Sequence, residues 1–256
     1  MGDITLKDLL EAGVHFGHQT KRWNPKMKPY IFMDKNGIHI IDLRQTLVLA
    51  ERASDAIRKL SAEGKLVLLL GTKMQAKSVV QEEAERCGMP YVTERWLGGT
   101  LTNFGTIRKS LNKLEKLEAL ETEGKMDQFS KKEALRLGKE KAKLLKALGG
   151  IRRMDKLPAL VFVVDTTKEI NAVLEARKLR IPIVAMVDTN ADPDPIDYPI
   201  PSNDDAMRAI RLFTKMVADA VLEGSAKHLE GREAAGLVDD KLVVDKGVPE
   251  KRASVA

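Results

Sequence analysis

Two periods of apolar residues run through the chain. Leu66-Val67-Leu68-Leu69-Leu70 and Ala159-Leu160-Val161-Phe162-Val163-Val164 are unbroken apolar runs, and Ile181 to Val187 is a third. Runs this short and this continuous predict strands buried on both faces of a parallel sheet. Ile38-His39-Ile40-Ile41 and Pro90-Tyr91-Val92-Thr93 predict two further short strands. Between them the period changes to that of a helix. From Arg44 to Leu60, Leu47, Val48, Ala50, Ala53, Ala56, Ile57 and Leu60 fall on one face, and Gly64 stops the run. A second helix follows Gly71-Thr72 and ends at Cys87, with Gly88 as its cap. Lys168 to Leu179 predicts a third, and a last helix opens at Ser202 or Asn203 and reaches about Leu222. The Pro-Asp-rich stretch from Asp192 to Pro199 predicts a loop.

Residues 106–151 break this alternation. Ile107, Leu111, Leu114, Leu117 and Leu120 make one helical stripe, and Leu137, Leu144, Leu148 and Ile151 make another. Glu123-Gly124-Lys125 is a turn signal between them. The pattern predicts an antiparallel helical hairpin of coiled-coil type, projecting because it has too little apolar surface for a core of its own. Strands alternating with helices give an α/β fold, a doubly wound parallel sheet of about five strands. The domain is discontinuous: residues 1–105, which include an N-terminal arm at 1–36, and residues 152–224. The hairpin at 106–151 is inserted, and residues 225–256 form a charged tail of low periodicity.

The chain has 256 residues, 43% of them hydrophobic and 31% charged, which is a globular composition. One cysteine excludes an intramolecular disulfide framework. No apolar run approaches the roughly 20 residues that cross a bilayer, and the first residues lack a signal-peptide core, so a cytoplasmic location is expected. The formal charge of +6 is unevenly placed. Residues 1–50 carry +2, 51–105 carry +1, 106–156 carry +7 and 157–256 carry −4. More than the whole excess sits on residues 106–156, the hairpin and the five residues after it. A smaller basic run holds Lys21, Arg22, Lys26 and Lys28, with no acid among residues 12–33. Such segments suit a polyanion, whereas the acidic part suits solvent or a basic partner.

Catalytic motifs are absent: no Gly-x-Gly-x-x-Gly, no P-loop, no serine elbow and no zinc-protease motif. Gly71-Thr72-Lys73 and the strand-ending Asp165 and Asp188 stand where doubly wound enzymes hold ligands, which leaves a nucleotide-binding enzyme as the alternative. The plainer reading is a tight turn at Gly71 and two aspartates capping their own turns. Cys87 reads as a buried small side chain. His15 and His18 share a face if their segment is helical, and Asp188, Asp204 and Asp205 can complete a metal site if the fold brings the strand end to the N-terminus.

Nucleic-acid chemistry is better represented. Phe16, Trp23, Tyr30 and Phe32 interleave with Lys21, Arg22, Lys26 and Lys28, and Asn24 lies among them. Cations neutralise phosphates while aromatic faces stack on unpaired bases. Phe16 and Phe32 are read instead as anchors of the arm. A second cluster holds Arg95, Trp96, Gly98, Gly99, Thr100, Thr102 and Asn103. It suits either RNA backbone or the base of the hairpin. Lys131, Lys132 and Arg136 lead the hairpin's basic run, with Lys139, Lys141, Lys143 and Lys146 behind them.

Three stretches together carry a family resemblance. They are Asp8 to Leu43, containing Gly-Val-His-Phe-Gly-His-Gln and Arg-Trp-Asn-Pro-Lys-Met; Arg95 to Lys109, reading Arg-Trp-Leu-Gly-Gly-Thr-Leu-Thr-Asn-Phe-Gly-Thr-Ile-Arg-Lys; and Pro182 to Ala206, with Met-Val-Asp-Thr-Asn and Pro-Ser-Asn-Asp-Asp. The chain resembles the bacterial small-subunit ribosomal protein S-two family over about residues 3–225. The resemblance implies a non-enzymatic, ribosome-bound protein with a flavodoxin-like domain and a helical hairpin. It implies contact with small-subunit (16S) ribosomal RNA, to which Arg108 and Lys109 in the second stretch would contribute. It implies other small-subunit proteins as partners, including recruitment of the largest, mRNA-binding one, and neither a membrane nor a small-molecule substrate. It also implies a zinc ion near His15 or His18 with the acidic group around Asp188 and Asp205. No other cofactor follows from it.

Overall fold

A computed structural model describes residues 4–124 and 129–234. Lys125 of the expected turn, the first three residues and the tail from 235 onward lie outside the described residues. The strands β4 (Val67–Leu70), β5 (Tyr91–Val92), β6 (Leu160–Val163), β7 (Ile183–Val187) and β8 (Tyr198–Pro201) form one parallel sheet in the order β5-β4-β6-β7-β8. Counted along this sheet alone the order is 2-1-3-4-5, the flavodoxin-like arrangement. The order reverses between β4 and β6, and their carboxyl ends open a crevice at that point.

Alternate residues of each strand feed opposite faces, as the strand period of two requires. Val67, Leu69, Phe162, Val184 and Met186 pack under α2 (Leu43–Ala62), α3 (Met74–Cys87) and α7 (Met207–Ala234). Leu68, Leu70, Val161, Val163, Ile183 and Val187 pack on the other face, under α6 (Ile170–Lys178) and the base of the helical pair α4 (Phe104–Thr122) and α5 (Lys131–Leu148). Ile107, Leu111, Leu148 and Ile151 from the two stripes enter that second core directly. Ser130 caps α5 in a box with Glu133.

The fifth strand is not the one that the apolar pattern suggests. Ile38–Ile41, strand β3, lies in a separate antiparallel sheet with β1 (Phe16–Gln19) and β2 (Ile31–Lys35), in the order β1-β3-β2. The parallel sheet takes Tyr198–Pro201 in its place, from the end of the Pro-Asp-rich segment. Pro199 and Pro201 lack an N–H, and an edge strand tolerates this because one row of its amides faces away from the ladder.

The first residues are therefore no loose arm. After α1 (Leu6–Glu11) the chain builds the small sheet over the carboxyl edge of the large one. It is tied there by His18 N to Thr189 Oγ1 at 2.8 Å, Asn24 N to Thr189 O at 2.8 Å and Asn203 N to Val14 O at 3.1 Å. A Cβ on Gly17 would lie 2.5 Å from the Thr189 methyl, so only glycine permits this approach. The last helix begins at Met207, later than the pattern suggests: Asn203 Oδ1 accepts from the amides of Asp205 and Ala206 in the turn that leads into it, and the Ser202 hydroxyl donates to Ile200 O, so neither stands at the cap position. It also runs past Gly224 to Ala234, so a tail starting at 225 would begin inside it. Gly224 sits against α2, where a Cβ would meet Arg58 O at 2.5 Å.

Gly150, where the hairpin rejoins the domain, is as tightly placed: a Cβ there would lie 2.2 Å from Tyr91 O. The obstacle is backbone and cannot swing aside. Gly150→Ala is expected to lower stability by about 1–3 kcal/mol. Gly231→Ala, on an exposed helical site with open space around it, should instead be neutral or stabilising by up to ~1 kcal/mol. Denaturant unfolding of the two variants checks the contrast.

Candidate functional site

The crevice at the carboxyl edge is filled by the protein's own charges. The Lys73 ammonium, just before α3, lies 2.8 Å from Asp165 Oδ2, 2.8 Å from Asp204 Oδ1 and 2.8 Å from Asp205 Oδ1. Asp165 ends β6 and caps its own turn, accepting from the amides of Thr167 and Lys168 at 2.9 Å each. Asp204 and Asp205 precede α7. Next to them His18 Nδ1 meets Asp188 Oδ2 at 3.0 Å, and its Nε2 lies 3.4 Å from Asp205 Oδ2. Asp188 ends β7 and is 1% exposed; Asp204 is 2% exposed.

These groups shift one another. Burial, then the neighbouring Asp188 and Asp165, push the Asp204 carboxyl up to about 7. Burial opposes charge on Lys73, but the carboxylates around it, Asp204 foremost, hold its ammonium above the ordinary lysine range. The hydrogen bond to Asp188 raises His18. The site is short of positive charge and uses Lys73 and His18 to balance it.

That geometry decides the nucleotide alternative. Lys73 and Asp165 do converge, but the ammonium is enclosed by three carboxylates and is unavailable to a phosphate. The Thr72 side chain is also committed, to Glu169. The turn at Gly71 is close-packed: a Cβ there would meet Val80 at 2.9 Å.

Of the expected metal ligands, the structure brings together His18, Asp188 and Asp204, whose donor atoms all lie within 4.8 Å of one another. Asp205 is adjacent, shared between His18 and Lys73. His15 is excluded. The expectation that it shares a face with His18 required a helix, but Phe16–Gln19 is a strand, in which residues three apart point to opposite sides. The His15 ring packs 4.0 Å from Phe16, and its Nδ1 is buried without a partner among the described residues.

The expected RNA contacts divide into two sets. Lys21, Arg22, Lys28, Arg95, Lys109, Lys131, Lys132 and Arg136 are exposed and form no ion pair among the described residues. The other expected contacts are held internally. Lys26 reaches Asp192 at 2.8 Å and Asp194 at 2.5 Å, so its charge is already matched. Asn24 Oδ1 accepts from Lys26 N at 3.0 Å, and the Trp23 and His39 rings are 5.2 Å apart. Arg108 pairs with Asp155 at 2.9 Å. Trp96 is 7% exposed and donates its indole N–H to Glu175 at 3.0 Å, which removes it as a stacking platform. The Thr102 hydroxyl goes to the same carboxylate, and Asn103 Oδ1 accepts from Thr106. Phe16 and Phe32, expected as anchors of the arm, are 48% and 61% exposed.

Glu175 is the residue that sequence reading missed. It collects the Trp96 indole, the amides of Gly99, Leu101 and Thr102 and the Thr102 hydroxyl, all within 3.0 Å. Burial pushes its carboxyl up, but those donors outweigh it and hold it low. The Gly-Gly loop is thus wrapped around one carboxylate of α6, with Arg95 left outside. A glutamate in an otherwise ordinary helix gives no local signal of this.

Residues 9–224 match a family described as Ribosomal protein S2. The chain belongs to the ribosomal protein S2 family. It is 59% identical to the small ribosomal subunit protein uS2 of Chlorobaculum tepidum over 88% of this chain and 90% of the relative. It is 57% identical to the protein of that name from Treponema pallidum, over 89% and 78% of the two. With the one from Chlorobaculum parvum it shares 54% over 96% and 97%. The S2 family consists of structural proteins, not enzymes, in accord with an edge crevice closed by internal ion pairs.

Lys73→Met removes the central cation and leaves buried carboxylates uncompensated, a change that costs about 3–5 kcal/mol. Adding Asp204→Asn should recover part of the loss. Urea unfolding of the single and double variants checks both, and an unchanged midpoint in Lys73→Met would show that the ammonium has no such role.

Proposed function

We propose that this chain is a structural constituent of the small ribosomal subunit that binds ribosomal RNA through its exposed cations. The observation that carries the reading is the division just described. The cations of the hairpin include Lys109, Lys131, Lys132 and Arg136, exposed and free of ion pairs, on a segment that holds +7 of the charge. Lys21, Arg22 and Lys28 beside the small sheet make a second patch, and Arg95 stands between the two segments in sequence. Flexible cations on a rigid support neutralise phosphates and gain affinity by releasing counterions. The relatives' name, small ribosomal subunit protein uS2, supports the same reading. In it the protein is ribosome-bound in the cytoplasm and positions other small-subunit proteins, the largest, mRNA-binding one among them. No described helix is long and apolar enough to cross a membrane.

The test is sedimentation of the tagged chain with small subunits from a cell lysate. Migration at the top of the gradient would refute the reading. A triple variant, Lys131→Glu, Lys132→Glu and Arg136→Glu, should weaken association with ribosomal RNA. Its affinity should fall less steeply with salt, by roughly 0.7–0.9 in slope for each lost phosphate contact. An unaltered slope would make the hairpin a solvated arm.

We further propose that His18, Asp188 and Asp204 hold a zinc ion. The donor set fits: one imidazole and two carboxylates are common zinc ligands. The fold has also gathered several carboxylates there, and burial, with Asp188 and Asp165 alongside, pushes Asp204 up. A bound dication would supply charge balance and tie the N-terminal sheet to the domain. Metal analysis of the purified chain should find zinc near one equivalent, lost in His18→Ala and retained in His15→Ala. Loss in both or neither would refute this donor set.

A further inference from the structure

Helices α2 and α7 run side by side in the same direction, and between them lies an open groove of about 550 Å³. Leu47 to Arg58 line one wall and Leu212 to Glu223 the other. Each wall spans eleven residue steps, about 16 Å or three helical turns. The floor is apolar: Leu47, Ala50, Leu212, Met216 and Ala220, with Ile4 closing one end beside α1. Ala50 and Ala220 are small, so a second backbone can come close. The rim is acidic. Asp8, Glu51, Asp55, Asp219 and Glu223 stand against Arg58 and Lys215. Arg58 is spent on Asp55 and Glu223, bonded to the latter at 2.7 Å, and Asp219 is paired with Arg86 at 2.6 Å; Asp8 and Glu51 keep the rim acidic, and Glu51 has no ion pair among the described residues.

We propose that this groove receives a cationic amphipathic helix from another protein of the small subunit. An apolar floor three turns long matches the i, i+3, i+4, i+7 anchors of such a helix, and the rim matches flanking lysines and arginines. The charge that recommends a basic protein disfavours RNA. The chain's own residues 235–256 carry four acidic and four basic side chains and gain no net attraction from the rim. The groove gives this chain two faces of opposite sign, the hairpin for RNA and the α2–α7 face for a basic protein.

The inference rests on the ribosomal reading, and its test separates the two. The full chain carries the photocrosslinking residue p-benzoylphenylalanine in place of Lys215, at the groove's exposed rim, and is assembled into small subunits in cells. Subunits are isolated on a gradient, irradiated, and the crosslinked peptides sequenced. The expected product joins position 215 to a Lys/Arg-rich helical segment of another subunit protein. Its yield should fall at least fivefold in Glu51→Lys, an exposed change that leaves sedimentation intact. Crosslinks to RNA, to residues 235–256, to a second copy, or none at all, in chains that do sediment with the subunit, overturn the groove proposal alone. A chain absent from the subunit fraction overturns both.

Discussion

The carboxyl edge of the parallel sheet gathers Asp165, Asp188, Asp204 and Asp205 in one place, and the Lys73 ammonium makes that possible. Four carboxylates this close, two of them almost wholly buried, cannot all stay ionised without a buried cation. Lys73 comes from the turn after β4, the first strand of the sheet in chain order, and its partners come from the ends of β6 and β8. One side chain thereby ties the two halves of the sheet across their switch point. The second tie is the N-terminal segment. His18 reaches Asp188 and Thr189, and Gly17 permits the approach. Everything above the edge, including the small sheet with its exposed Phe16 and Phe32, depends on that contact.

Most of the fold is legible in the chain because burial on both faces leaves strong local marks. Leu66–Leu70 and Ala159–Val164 admit only apolar residues, and Gly88 adopts the left-handed conformation expected of a cap. What escaped notice depends on neighbours. Tyr198-Pro199-Ile200-Pro201 reads as a loop because proline usually breaks a ladder, and it is a strand because it takes the edge of the sheet, with β7 on one side and no second strand among the described residues on the other. Ile38–Ile41 is correctly a strand, but no pattern within four residues says which sheet it joins. Gly224 looks like a stop, yet α7 continues through it because α2 packs close enough to need a residue without a side chain.

The candidate site was legible as a list of residue types, less so as an arrangement. Composition alone marked Lys21, Arg22, Lys28 and the hairpin cations, which are exposed. It gave equal weight to Lys26, Trp96 and Thr102, which are held by Asp192, Asp194 and Glu175 from segments far away in sequence. The partner that turns a cation or an indole inward leaves no trace at the residue itself. His15 and His18 differ by the same logic: a strand at Phe16–Gln19 separates them, and a helix would have joined them.

A doubly wound sheet with this strand order offers a ligand crevice whatever its function, because the carboxyl ends diverge where the order reverses. Enzymes of this architecture fill that crevice with substrate or cofactor. Here the chain's own Lys73, Thr72, Glu169 and N-terminal residues fill it, so the crevice is converted from a binding site into a joint. The cost of closing it is a concentration of buried acid, which draws much of the −4 in residues 157–256 to the sheet edge and to the α7 side. The cations are correspondingly placed elsewhere, on an inserted hairpin whose base alone enters the core. Residues 106–156 can carry +7 without repulsion inside the domain, because the hairpin's cations are kept at its surface and out of the interior. The modest net charge of +6 is thus the residue of two opposed constraints: acid needed to lock the edge, and base kept outside it.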